Sequence, residues 1–134
     1  TSTKYYDSNY VQLGSNSVGG DYGVFLTPPI IPVSVTVGGT GVIGAETLYT
    51  SSTKTTINGR NDLSYIIEAD TSTTAIVNLI TKSYSKVSYP VPGLELTATE
   101  QDRYRIAATG ALTPISADIQ YANGSAIHFI LTFN

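Results

Sequence analysis

The sequence predicts an all-β protein, an antiparallel β-sandwich of immunoglobulin-like or jelly-roll-like kind, and three observations carry that expectation. Apolar and polar residues alternate with period two along much of the chain, the signature of strands with one buried face. Glycine and Asn-Gly pairs punctuate the alternating runs at short intervals, as hairpin turns require. The chain has 134 residues, of which 41% are hydrophobic. That is enough for one core and not for two.

The elements follow in order. Tyr5 to Leu13 is the first strand candidate, and Gly14 to Gly20 after it reads as a flexible, glycine-containing hinge. Residues 1–20 are therefore expected to be an N-terminal extension, and residues 21–134 the sandwich domain. Pro28, Pro29 and Pro32 interrupt the apolar run from Phe25 to Val33, which predicts an extended connection or an edge strand. Val33, Val35 and Val37 alternate with Ser34 and Thr36 and predict a strand ending at the Gly38-Gly39 turn. A second turn is expected at Asn58-Gly59, before Leu63, Tyr65 and Ile67, which oppose Ser64 and Glu68.

The stretch Thr73 to Val87 carries two patterns. Ile76, Leu79 and Ile80 stand at helical spacing, but the run is rich in β-branched residues and has no capping box, which favours a strand. One short helix within 73–87 is the alternative. Pro90 and Pro92 precede Leu94, Leu96 and Ala98, which alternate with Glu95, Thr97 and Thr99. Tyr104, Ile106 and Ala108 alternate with Arg103 and Arg105, and Ile115, Ala117, Ile119 and Tyr121 with Ser116, Asp118 and Gln120. Asn123-Gly124 then supplies the positive φ angles of a type I′ hairpin. The last run, Ala126 to Phe133, is the most apolar, with Ile127, Phe129, Leu131 and Phe133 on one face and Ile130 on the other. A strand apolar on both sides is expected in the middle of a sheet.

Composition excludes several functions. Only 13% of residues are charged, so the surface is built largely of Ser, Thr, Asn and Gln. The net charge is -3 and the pI near 4.8, and the seven basic residues are scattered, which argues against nucleic acid as a partner. The absence of cysteine removes thiolate zinc sites, disulfides and thiol catalysis. The absence of methionine as well suits an exposed extracellular life. The start at Thr1, without an initiator methionine, fits a processed product. No stretch approaches the roughly 20 apolar residues of a membrane-spanning helix.

The residues that could carry chemistry each have a plainer role. His128 is the lone histidine, with no nucleophile elbow or metal-binding pattern in the sequence, and reads as a structural residue. Glu68 with Asp70, and Glu100 with Asp102, have the i, i+2 spacing that puts two carboxylates on one strand face, as a glycosidase cleft would need. Both pairs border turn-like sequence and read as solvated strand ends. Gly38, Gly39, Gly41 and Gly44 lack the Lys-Ser/Thr of a phosphate loop. No catalytic, cofactor or metal site is expected. Asn123-Gly124-Ser125 matches the N-glycosylation pattern and makes Asn123 a candidate for a glycan.

The ten tyrosines, against three phenylalanines, weigh towards an interface, because tyrosine offers apolar area and a hydroxyl at low entropic cost. Tyr5, Tyr6 and Tyr10 cluster in the first segment. With Val11 and Leu13 they would be the side chains of a strand donated to a neighbouring copy, β-strand addition in which main-chain hydrogen bonds give affinity. The same segment could equally be the first strand of its own sheet.

The processed-looking start, the Ser/Thr/Tyr-rich and charge-poor β domain, the glycine-containing link after Tyr5 to Leu13 and the apolar final strand Ile127 to Phe133 together resemble secreted filament subunits. The similarity is to those assembled by donor-strand exchange, such as archaeal threads and bundling pili or TasA-type biofilm fibres. It implies a pilin-like fold and an extracellular homopolymer without enzymatic activity or cofactor. The cysteine pair common in chaperone-usher pilins is absent. Two other readings are a viral capsid, decoration or fibre protein, and a carbohydrate-binding or adhesin module in which Tyr49, Tyr84 or Tyr89 would stack on sugars.

Overall fold

A computed structural model describes residues 2–88, 92–122 and 128–133. Nine strands run in chain order as one antiparallel sheet: β1 (Ser2–Tyr6), β2 (Gln12–Ser17), β3 (Tyr22–Phe25), β4 (Thr40–Tyr49), β5 (Ile57–Ala69), β6 (Thr74–Val87), β7 (Gly93–Ala107), β8 (Leu112–Tyr121) and β9 (His128–Thr132). The all-β, antiparallel expectation holds. No helix occurs among the described residues, and 74–87 is strand, as its β-branched content favours. The two-sheet sandwich is not what the described strands form. Each strand pairs with the next in sequence, so the described strands make up one hydrogen-bonded sheet.

Short turns with specific chemistry set this order. The Asp7 carboxylate accepts the N–H of Asn9 at 2.8 Å and of Val11 at 2.9 Å, closing β1 onto β2. Thr71 Oγ1 accepts the N–H groups of Thr73 and Thr74 between β5 and β6. Gly110, at φ +85°, supplies the left-handed residue between β7 and β8. The Asn123-Gly124 hairpin and the candidate glycan site Asn123 lie outside the described residues.

Three expectations are corrected. Val33 to Val37 forms no strand: residues 26–39 are an irregular excursion, held by the Ile30 N–H to the Ile43 carbonyl at 2.7 Å and the Gly38 N–H to the Ile67 carbonyl at 2.8 Å. The Gly38-Gly39 turn stands, immediately before β4. Asn58-Gly59 is not a turn but lies in β5, where Gly59 pairs with Leu48 and Ser85. Its glycine serves close approach, since a Cβ there would sit 2.5 Å from the Tyr84 carbonyl oxygen. The turn before β5 is instead made by residues 50–56, with Lys54 at φ +55°. Finally, the apolar last strand is not central: among the described residues β9 is an edge, paired only with β8.

The cross-strand register assigns each residue to a face, because antiparallel partners point the same way. The buried Phe25 and Ile67 share a face with Leu63, Tyr65, Val77, Leu79, Tyr104 and Ile106. Ala117, Ile119, Phe129 and Leu131 continue it across β8 and β9. We call this the apolar face. The excursion 26–39 touches it at two points, with Pro29 over Gly44 and Val35 beside Tyr65, while Leu26, Thr27, Pro28 and Ile30 line a cavity with Thr47, Arg60, Asp62, Lys82 and Tyr84 of the other face.

Candidate assembly interface

The opposite face carries the charge. All five cations of β5 to β7, Arg60, Lys82, Lys86, Arg103 and Arg105, point to it. Three are paired there: Arg60 with Asp62 at 2.8 Å, Arg103 with Glu68 at 3.3 Å and Arg105 with Asp70 at 2.7 Å. The hydrogen bonds from Arg105 and then from Thr74 hold the Asp70 carboxyl below its usual range. Glu68 and Asp70, weighed above as a carboxylate pair, are thus each matched by an arginine two strands away. At the centre sits Asn78, only 1% exposed, whose side-chain amide donates to Glu68 Oε1 at 2.8 Å and Gln101 Oε1 at 3.0 Å. Two atoms of this face, Arg60 Nε and Asn78 Oδ1, are buried without a hydrogen-bond partner among the described residues.

The apolar face over β6 to β9 is different. It carries no cation from these strands, and no layer of this chain covers it among the described residues. Its charges are carboxylates. Glu100 and Asp102 lie in the middle of β7 and not at a solvated strand end. Their register neighbours on this face are Thr81 and Ile119 for Glu100, and Leu79 and Ala117 for Asp102. Burial pushes the Glu100 carboxyl up, with the charge of Asp102 adding to it, and burial raises Asp102 as well.

The two sheet edges also differ. On β1, Tyr5 and Tyr6 stand among Ser2, Thr3 and Lys4, a polar edge of the kind that discourages uncontrolled pairing. On β9, Phe129 is 55% and Ile130 61% exposed, and Leu131 is exposed too. That edge has neither a charge nor a proline between Phe129 and Thr132. The crest of the 26–39 excursion adds exposed Leu26, Ile30, Ile31 and Val33. The total matches these details: the chain exposes 8901 Å². A compact chain of its mass would expose about 6,800 Å² by the usual size scaling.

The residues read as a donor strand fall in three places. Tyr5 and Tyr6 are in β1, hydrogen-bonded to β2 of the same chain; Tyr10, at φ +61°, and Val11 are in the turn; Leu13 is in β2. Residues 14–17, expected as part of the hinge, belong to β2, which bonds on both sides, to β1 and β3. His128 belongs to β9 opposite Gln120, and its side chain lies outside the described residues, as does Tyr89. Tyr84 stacks under the Arg60 guanidinium at 4.9 Å, and Tyr49 pairs with Tyr22. Sequence reasoning missed the bare β6–β9 face and the excursion that touches only the other half. The one available signal was the segregation of Arg103 and Arg105 from Tyr104 and Ile106. No helix among the described residues is long and apolar enough to cross a membrane. Comparison with protein-family models, curated proteins and solved structures finds no match to this chain.

Proposed function

We propose that this chain is a structural subunit that polymerises with copies of itself by β-strand addition, as in an extracellular filament. The observation that carries the reading is the β9 edge: a strand apolar on both sides, exposed, and open along its outer backbone. Such an edge offers a template on which another strand can pair. The N-terminal edge strand, with Tyr5 and Tyr6, is the natural complement, because joining two different edges continues from copy to copy and makes a fibre and not a closed dimer. Exchange of a longer segment, through Tyr10, Val11 and Leu13, would use the same receiving edge after β1 leaves β2.

Negative-stain electron microscopy of the purified chain tests this. Filaments are expected, and deleting residues 1–11 or placing a charge in β9 through Ile130→Lys should abolish them. Dispersed particles under all conditions would refute strand addition. A second reading has one observation in its favour: Tyr5, Tyr22 and Tyr49 share the charged face on β1, β3 and β4, with the Tyr5 and Tyr22 rings 6.4 Å apart. That row could stack on sugar rings. Glycan-array binding lost in Tyr22→Ala would move the assignment to a carbohydrate-binding module.

A further inference from the structure

We infer that the cleft between the start of the excursion 26–39 and the charged face of β4 to β6 binds a small organic carboxylate, its charged end on Lys82 and Arg60 and its apolar body against the excursion. The site is independent of strand addition, since β9 lies three strands beyond β6.

The cleft follows from the way the chain leaves β3. Pro28 and Pro29 have no N–H to continue a ladder, and the backbone meets the sheet again where the Ile30 N–H bonds to the Ile43 carbonyl, at the bulge of β4 between Val42 and Gly44. Leu26, Pro28 and Ile30 with Val42 form an apolar wall, and Leu26, Ile30 and Val42 are all exposed. The floor is Thr47, Arg60, Asp62, Lys82 and Tyr84, which the register places together on the charged face. Between wall and floor lies a volume of about 840 Å³. Sites for small molecules span roughly 300 to 1,000 Å³ and combine apolar walls with a few placed polar groups.

Charge selects the ligand. Elsewhere on this face Arg103 and Arg105 each have a carboxylate, Glu68 and Asp70. In the cleft two cations face one: Asp62 is taken by Arg60 at 2.8 Å, and Lys82, directly across from Asp62 in the register, makes no ion pair among the described residues. The surplus is a single positive charge, in a chain whose net charge is -3. Arg60 is also held in place, with Nη2 on Asp62 and the guanidinium 4.9 Å from the centre of the Tyr84 ring, so little ordering is lost when it receives a second carboxylate. A monoanion matches the charge and an apolar body matches the wall. An inorganic anion would leave the wall unused, and a neutral or cationic molecule would leave Lys82 unanswered.

Equilibrium dialysis of the full chain against radiolabelled hydrocinnamate tests this, and it reads dispersed and filamentous protein alike. Saturable binding of one molecule per chain is expected, with a Kd of about 1 mM or tighter at low salt. The neutral amide of the same acid should bind at least about fivefold more weakly. Lys82→Gln should weaken hydrocinnamate binding about fivefold and Lys82→Arg should restore it, while Ile30→Ser should weaken it about threefold or more. Lys82 and Ile30 are exposed, so these variants keep the sheet, which circular dichroism checks. Lys86→Gln removes a cation of the same face outside the cleft and should leave binding unchanged. Absence of saturable binding up to about 10 mM, equal binding of the amide, or equal losses in Lys82→Gln and Lys86→Gln would each overturn the inference. Displacement of the probe by an equal concentration of inorganic phosphate would overturn the choice of a carboxylate. Filaments without hydrocinnamate binding would leave strand addition standing, and binding by a chain that never polymerises would leave the cleft standing.

Discussion

The two halves of one apolar face show what a sheet needs in order to stand alone. Over β4 and β5, the excursion 26–39 touches the sheet, and the two best-buried apolar side chains, Phe25 at 8% and Ile67 at 3% exposed, are there. Over β6 to β9 the same alternation continues through Val77, Leu79, Ile106 and Ile119, yet none of these is fully buried. Composition does not separate the halves; contact with the excursion does. A pattern of alternate apolar residues specifies a face to be buried, but not which chain buries it.

Substitutions can break or sharpen that comparison, and the largest effect is expected in the half that the excursion touches. Ile67→Ala should cost about 2 to 5 kcal/mol in a urea melt at any protein concentration, because it is buried within its own chain. Asn78→Ala should follow at about 1 to 3 kcal/mol, since it leaves Glu68 and Gln101 short of a donor beneath the sheet surface. Phe129→Ala should cost less than about 1 kcal/mol in dilute monomer, where Phe129 is 55% exposed, and more as concentration rises if a second copy adds its strand to β9. A cost that does not depend on concentration would put Phe129 in a core of its own chain.

The smallest effect is electrostatic and has a definite sign. Glu100 and Asp102 have raised pKa values in the folded protein, so the fold keeps its protons to a higher pH than the unfolded chain does. Their contribution to stability is therefore fully present below the ordinary values of 4.5 and 3.8 and falls as pH rises through the raised ones. No cation from β6, β8 or β9 faces them; their titratable companions on that face are Glu95, Tyr104 and Tyr121. Glu100→Gln combined with Asp102→Asn should raise the melting temperature near pH 7 and leave it unchanged near pH 3. Asp70 works in the opposite direction: its pKa is lowered by Arg105, so its contribution is lost as pH falls through the carboxylate range.

Much of the sheet was legible in the sequence, and the failures share a cause. The alternation through Leu63 to Ile67 and Tyr104 to Ile106 marked strands and assigned faces correctly. It failed across bulges. Leu94, Leu96 and Ala98 alternate in sequence, but an extra residue between the partners of Ser83 and Tyr84 sends Leu96 to the charged face and Ala98 to the apolar one. Ile115 is similarly displaced, where Arg103 pairs with Ser116 and Tyr104 with Pro114. Val33 to Val37 has the pattern of a strand without main-chain partners to make it one. Period two records which side a residue takes, and not whether a neighbouring backbone is present. For the same reason β9 read as a central strand: its apolarity suits cover on both sides, and among the described residues only β8 pairs with it.

The central proposal, that copies of this chain associate through their sheet edges, is tested most directly by sedimentation equilibrium of the purified 134-residue chain over a range of micromolar concentrations near pH 7. The account predicts a weight-average mass of at least two 14.2 kDa chains at the upper end, falling on dilution. A constant mass of one chain across the whole range would contradict it.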